Sequence, residues 1–365
     1  MSELQKATDE FIRVISDPLS SNEEVNASLQ PCFRALPDSG EEDINMFMKR
    51  TFSQVNLPNI ERASLATTIC GYLVEREFPG DAIINDLIGL YDRLLDKSHS
   101  FFKILLSHAS KINDTGEERD EAVNKIYSEL ISDQELVDNE TYNAIISLDK
   151  FYACAISLFS VNKENFCKAK ERLRQKVTLV AGYSQGCYWI DRLFTVLFDE
   201  PIVVIDIDNN IGFEGKINGV VDNYQLQHLL MNIPLLNDGG SAISEEDFEV
   251  VNGEGEQSSE RTMESKWNMY NLSLCSNPDW VKLINNRENP SLSANFRQYW
   301  IWSEGAPVDI PTYNGRRVIL LGLPPYSRST RVQRTFKNLK ANIEVEKELT
   351  KEEIDNWLCN VLIGE

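Results

Sequence analysis

Over roughly the first half of the chain, apolar residues return at the three-and-four spacing of a helix that buries one face. Leu65, Ile69 and Leu73 form one such row, and Ile83, Ile84, Leu87, Ile88, Tyr91, Leu94 and Leu95 form a longer one. The rows break at Asp17-Pro18, Pro37-Asp38-Ser39-Gly40, Leu57-Pro58-Asn59, Phe78-Pro79-Gly80-Asp81 and Asn113-Asp114-Thr115-Gly116. Proline and glycine punctuate helices there, by removing a donor or by permitting a reversal. Ser21 and Glu24 hold the spacing of a capping box, in which the hydroxyl and the carboxylate each take a backbone N–H of the first turn. This pattern predicts a helical domain over residues 1–175.

The period shortens after Asp199. Ile202 to Ile207 is a short run rich in β-branched residues, and it is followed by Asp208-Asn209-Asn210 and by alternation from Gly212 to Val221. That reads as a β-hairpin. Asp222 is placed to cap a helix from Tyr224 to Met231. Residues 237–264 carry nine acids and one base among several glycines and serines, which predicts a flexible, solvated acidic insertion. Asn277-Pro278 reads as a helix start. Trp300 and Trp302 are expected to share one face of a strand, and Asn314-Gly315 to form the tight turn of a hairpin returning along Arg317 to Leu321. Arg331 to Lys340 reads as a helix with Val332, Phe336 and Leu339 inward and Arg331, Arg334, Lys337 and Lys340 outward. Thr350 and Glu353 form a second capping box, opening a terminal helix that carries Trp357 and Leu358. The predicted fold class is α+β, with the helical domain followed by a mixed domain, 176–365, of β-hairpins and flanking helices.

Composition narrows the partners. The 57 acids against 36 bases give a net charge of −21, a field that disfavours nucleic acid and anionic membranes over most of the surface. One block reverses that sign: from Ile310 to Ile343 there are seven Lys or Arg residues and no acid. The start of the chain has no basic and apolar leader pattern, and no apolar run is long enough to span a bilayer. Seven scattered cysteines without a C-x-x-C pair read as reduced thiols of a cytoplasmic protein. Three histidines, none beside a cysteine, predict no metal site. No cofactor motif is present, so none is expected.

Gly182-Tyr183-Ser184-Gln185-Gly186 matches the G-x-S-x-G nucleophile elbow, with Val177 to Ala181 as a possible strand and Cys187 to Phe198 as a helix. The order Ser184, Asp206 or Asp208, His228 is that of an α/β-hydrolase. Against this, His228 lies inside a helical pattern only 44 positions after Ser184, and no parallel strands precede the motif. A turn between helices explains the motif better. Glu304 and Asp309 flank a Gly-Ala-Pro turn and read as turn caps or as partners of Arg316 and Arg317, rather than as an acid–base pair. Arg316, Arg317, Arg328, Arg331, Arg334 and Lys337, together with Trp300, Trp302, Glu304 and Asp309, are the candidate binding residues. They offer charge and stacking surface, although a charge run is more often a solvated face.

Three stretches carry a resemblance. They are Gly212-Phe213 with Ile217-x-Gly219-Val220-x-Asp222-Asn223-x-Gln225-Leu226-x-x-Leu229-Leu230, then Trp300-x-Trp302-x-Glu304-Gly305-x-Pro307-x-Asp309-Ile310-Pro311, then Gly315-x-Arg317-Val318-x-Leu320-Leu321-Gly322-x-Pro324-x-Tyr326. Over roughly residues 185–360 the chain resembles a family of uncharacterised bacterial proteins. The resemblance implies no activity, and the segment matching Gly182 to Gly186 in such relatives does not look like a serine elbow. The expectation is therefore a non-enzymatic interaction or regulatory protein with a protein partner that presents an acidic face. A serine hydrolase using Ser184, Asp206 and His228 is the alternative from a different class, and nucleic-acid binding through the basic block is a third.

Overall fold

The computed structural model describes residues 1–113, 115–133, 135–257, 261–276, 297–324 and 326–359. The helix start expected at Asn277-Pro278 lies outside the described residues. The chain forms two compact units, Met1–Phe194 and Thr195–Glu365. The first extends past the boundary expected at residue 175 because one helix runs straight through that position and a further helix follows it.

The helical unit contains α1 (Glu3–Ser16), α2 (Asn22–Ala35), α3 (Glu41–Phe52), α4 (Ile60–Glu75), α5 (Ile84–Ala109), α6 (Gly116–Ile131), α7 (Asn139–Ser160), α8 (Lys163–Val180) and α9 (Gln185–Phe194). Short polar side chains start them: Ser2 and Ser21 in capping boxes, then Asn59, Asp138 and Asn162, each accepting from a backbone N–H of the first turn. Phe11, Phe47, Tyr91, Phe101, Phe159 and Phe194 are fully enclosed. Two polar clamps add to this packing. Asp92 on α5 takes Arg172 and Lys176 from α8, and Lys176 also reaches Asp96 at 2.6 Å. Arg62 on α4 is buried and donates to the carbonyls of Ile15, Asp17 and Ser20, fastening the end of α1 and the loop after it.

The mixed unit contains β1 (Glu200–Asp206), β2 (Ile211–Asn218), α10 (Asn223–Leu230), α11 (Glu245–Asn252), β3 (Thr262–Glu264), β4 (Asn268–Asn271), β5 (Thr312–Tyr313), β6 (Arg316–Gly322), β7 (Ser329–Arg331), β8 (Asn342–Glu348) and α12 (Lys351–Cys359). The main sheet runs β4-β6-β1-β2-β8, with β5 also on β6, while β3 and β7 form a separate pair. Among the described residues, only β1 and β6 pair in parallel. Alternation along these strands feeds two cores. Ile202, Val204, Ile319 and Leu321 pack with Leu226 and Leu229 of α10 and Val251 of α11. Val203, Ile205, Val318 and Leu320 pack with Tyr270, Trp300 and Ile354. A central strand apolar on both faces explains the unbroken run of β-branched residues in β1.

The β1–β2 hairpin, the Asp222 cap of α10 and the capping box at Thr350 and Glu353 form as expected. The β5–β6 hairpin turns at Asn314 and Gly315, with φ of 50° and 74°, the region that favours these two residues. β8 is an exposed edge carrying Glu344, Glu346 and Glu348, charges that discourage further pairing.

Three local expectations are corrected. Residues 237–264 are not a structureless loop: Ser244 caps α11, Gly253 ends it at φ 93°, and Ile243, Val250 and Val251 are buried. Few apolar residues suffice there because the sheet already supplies the surface they cover, and the acids Glu246 and Asp247 are held by Arg261. Arg331 to Lys340 contains no helix. Val332, Phe336 and Leu339 are inward as expected, but Arg334 is inward as well. Finally, Trp300 and Trp302 do not lie in a strand. Trp300 makes one isolated bridge to Tyr270, just after a 3-10 turn over Arg297–Tyr299.

Candidate functional site

Ser184 does not sit on an elbow. Val177 to Val180 is the end of α8 rather than a strand, so the motif is a turn between two helices. The buried Ser184 hydroxyl donates to Asp149 of α7 at 2.6 Å and accepts from the N–H of Cys187 at 3.1 Å. Asp149 also accepts from the N–H of Gly186 at 2.9 Å, so both side chains satisfy the first turn of α9. A Cβ on Gly186 would stand 2.1 Å from the Leu148 carbonyl oxygen, so glycine lets α9 pack closely on α7. The motif is thus accounted for by helix packing. Ser184→Ala is expected to cost about 1–2 kcal/mol of stability, the usual value of a cap, measurable by urea unfolding. Stability equal to wild type would contradict this role.

The other two members of the supposed triad belong to the mixed unit and are also occupied. Asp206 accepts from the N–H groups of Asp208 and Asn209 at 3.1 and 3.0 Å and from the Asn209 amide at 3.0 Å, holding the turn after β1. His228 is 0% exposed on α10, with Nε2 3.0 Å from the Thr330 hydroxyl. Burial pulls its pKa down to about 4, against a smaller upward pull from Asp247.

Much of the basic block serves the fold. Arg316 pairs with Glu214 at 3.2 Å and Arg317 with Glu200 at 2.8 Å. The expected pairing with Glu304 and Asp309 does not occur, because Arg317 also donates to the carbonyls of Val308 and Ile310. Asp309 instead caps its own turn through the Ala306 N–H at 3.2 Å. Arg334, 7% exposed, donates to the carbonyls of Val250, Gly255 and Lys337 at 2.7, 2.8 and 2.9 Å. Burial lowers its pKa. Lys340 reaches the Gly253 carbonyl at 2.9 Å. Arg334 and Lys340 therefore serve the negative end of α11, as cations at a helix C-terminus do. Arg331 and Lys337 are exposed.

The remaining candidates come together. The Trp300 and Trp302 rings are 5.4 Å apart, Trp300 is buried and Trp302 is 50% exposed. The guanidinium of Arg297 stacks over Trp300 at 5.8 Å. The Tyr224 hydroxyl donates to Glu304 at 2.7 Å, and burial followed by the nearby carboxylate pushes this phenol up to about 12. Arg328 hydrogen-bonds Asn268 at 3.3 Å and lies close enough to act electrostatically on both Tyr224 and Tyr270. Among the described residues, Arg328 and Arg297 pair with no carboxylate. Tyr326, 54% exposed, stands two positions before Arg328. The result is a surface that displays Trp302 and Arg297 beside the Trp300 ring, with Arg328 acting on the Tyr224–Glu304 pair that follows Trp302 by two positions.

Tyr224, Asn268 and Arg297 were missed by sequence reasoning. They reach this surface through strand pairing and the α10 cap, and no spacing in the chain marks them. Among the described residues no group of three or more His, Cys, Asp or Glu could hold a metal ion, and no helix is long and apolar enough to cross a membrane. Burial pushes the Cys154 and Cys187 thiols up to about 12, away from nucleophilic use at neutral pH. No protein-family model matches the chain, and no curated protein or solved structure is significantly similar to it.

Proposed function

We propose that this is a non-enzymatic, cytoplasmic interaction protein that uses the Trp302–Arg328 surface of its mixed unit to hold a protein partner with an acidic face. One juxtaposition carries the reading: exposed Trp302 stands two positions before Glu304, whose carboxylate takes the Tyr224 hydroxyl, and Arg328, which forms no ion pair among the described residues, acts on that same phenol. Trp, Tyr and Arg are the residues that concentrate binding energy at interfaces. A cation already half withdrawn from water gains from a partner carboxylate more than a solvated one does. In a chain of net charge −21 such a patch also selects partners, because most of the surface repels acidic proteins.

The test places a photo-crosslinking amino acid at Trp302 in cells, identifies the captured protein, and then measures its affinity for purified variants. Trp302→Ala and Arg328→Ser should each weaken binding roughly tenfold or more, which is the scale of an interface hot spot. Arg331→Ser, an exposed base outside the cluster, should leave the affinity within about twofold. If all three variants bind alike, the surface is not the interface.

A further inference from the structure

The helical unit contains a groove of about 280 Å³. Apolar Leu57, Leu94 and Phe151 share its lining with polar Asn56, Asn143 and Ser147. Arg93 stands at its rim and forms no ion pair or hydrogen bond among the described residues, whereas Lys97 beside it is neutralised by Glu140. An occupant that pairs an aliphatic side chain for the Leu57 and Leu94 side with a carboxylate for Arg93 would satisfy it.

The same unit displays that chemistry. Leu19, in the loop between α1 and α2, is 90% exposed, the most exposed of its large apolar residues. Asp17 stands two positions before it and folds the loop by accepting from the Leu19 N–H at 3.0 Å. The loop is held rigidly: Arg62 grips the carbonyls of Ile15, Asp17 and Ser20. It also lies beside the groove, since Ser16 hydrogen-bonds Gln54 at 2.8 Å and the following Val55 and Asn56 line the groove. A protruding leucine with an acid, adjacent to a groove of mixed apolar and polar lining with an unpaired cation at its rim, is a self-complementary patch. Two copies related by a two-fold axis satisfy it twice, and the assembly closes at a dimer.

We infer that the chain forms a two-fold dimer in which Leu19 of each copy enters the groove of the other and Asp17 meets Arg93. This does not rest on the reading of the mixed unit, which uses other residues. The preset loop lowers the ordering cost of association, and the small patch places the affinity in the range of weak dimers.

Sedimentation equilibrium of the full chain up to about 100 µM tests it. The wild type should show a monomer–dimer equilibrium. Leu19→Asp and Arg93→Asp should each raise the dissociation constant roughly tenfold or more, while circular dichroism and the melting temperature stay at wild-type values because both side chains are exposed. A monomer throughout that range overturns the inference. So does a dimer indifferent to both single substitutions.

Discussion

Arg334→Met is expected to destabilise the mixed unit by about 3–5 kcal/mol. The guanidinium is buried and serves three carbonyl oxygens, those of Val250, Gly255 and Lys337. Methionine fills a similar volume but leaves these acceptors without a donor, and each orphaned buried acceptor costs about 1–3 kcal/mol. Relief of the cation's desolvation offsets part of that sum. Val250 lies in the last turn of α11, so the loss should appear first as exposure of Val250 and Val251. Hydrogen exchange would show it as faster exchange over 245–255. Arg331→Met is the internal control: it comes from the same basic block but is exposed, and it should change stability by no more than about 0.5 kcal/mol. Equal urea midpoints for the two variants would mean that Arg334 does not hold α11.

The second large effect is a pH dependence. His228 has a folded pKa of about 4 because it is enclosed on α10, against 6.5 for a free imidazole. Between those values the unfolded chain binds a proton that the folded chain refuses, so protonation pulls toward unfolding. Stability is complete above about pH 6.5, falls as the pH drops toward 4, and gains no further loss from this group below that. At about 1.4 kcal/mol for each tenfold change in proton affinity, the full drop is about 3 kcal/mol. Carboxylates titrate in part of the same window, so the test is a difference. His228→Gln keeps a polar atom near Thr330 and removes the titration, and its unfolding free energy should depend less on pH between 6.5 and 4. Parallel curves for the two proteins would show that the imidazole is not held neutral by the fold.

How much of this was legible depends on how local the cause is. The Ser21 and Thr350 caps, the Asp222 cap and the Asn314-Gly315 turn were readable because each is settled within four residues. The α+β class followed from periodicity for the same reason. The fate of Arg334 was not legible, since two of its three acceptors, the carbonyls of Val250 and Gly255, lie about eighty positions earlier in the chain. Spacing alone placed it outward on a helix that does not exist. The error over 237–264 has the same origin: composition judged the segment in isolation, whereas Val250 and Val251 are covered by residues from elsewhere. The Ser184 motif misled because a serine cap with a glycine close-packing position has the same spelling as an elbow. The Trp302–Arg328 surface was half visible, as Trp302 and Arg328 were named but Arg297, Tyr224 and the contacts among them were not.

The parallel pairing of β1 with β6 has a consequence for synthesis on the ribosome. Residue 194 closes the helical unit, so it can fold while the second half is still being made. The second half has no such freedom. Val203 to Asp206 receive their neighbour only when Val318 to Leu321 emerge, more than a hundred residues later. Until then β1 presents an open edge, and although α10 and α11 can already cover Ile202 and Val204, its other face, Val203 and Ile205, still lacks Val318 and Leu320. A nascent chain paused anywhere between α10 and β6 is therefore the species most in need of a chaperone. Any truncation within that interval leaves a folded first half tethered to an adhesive strand.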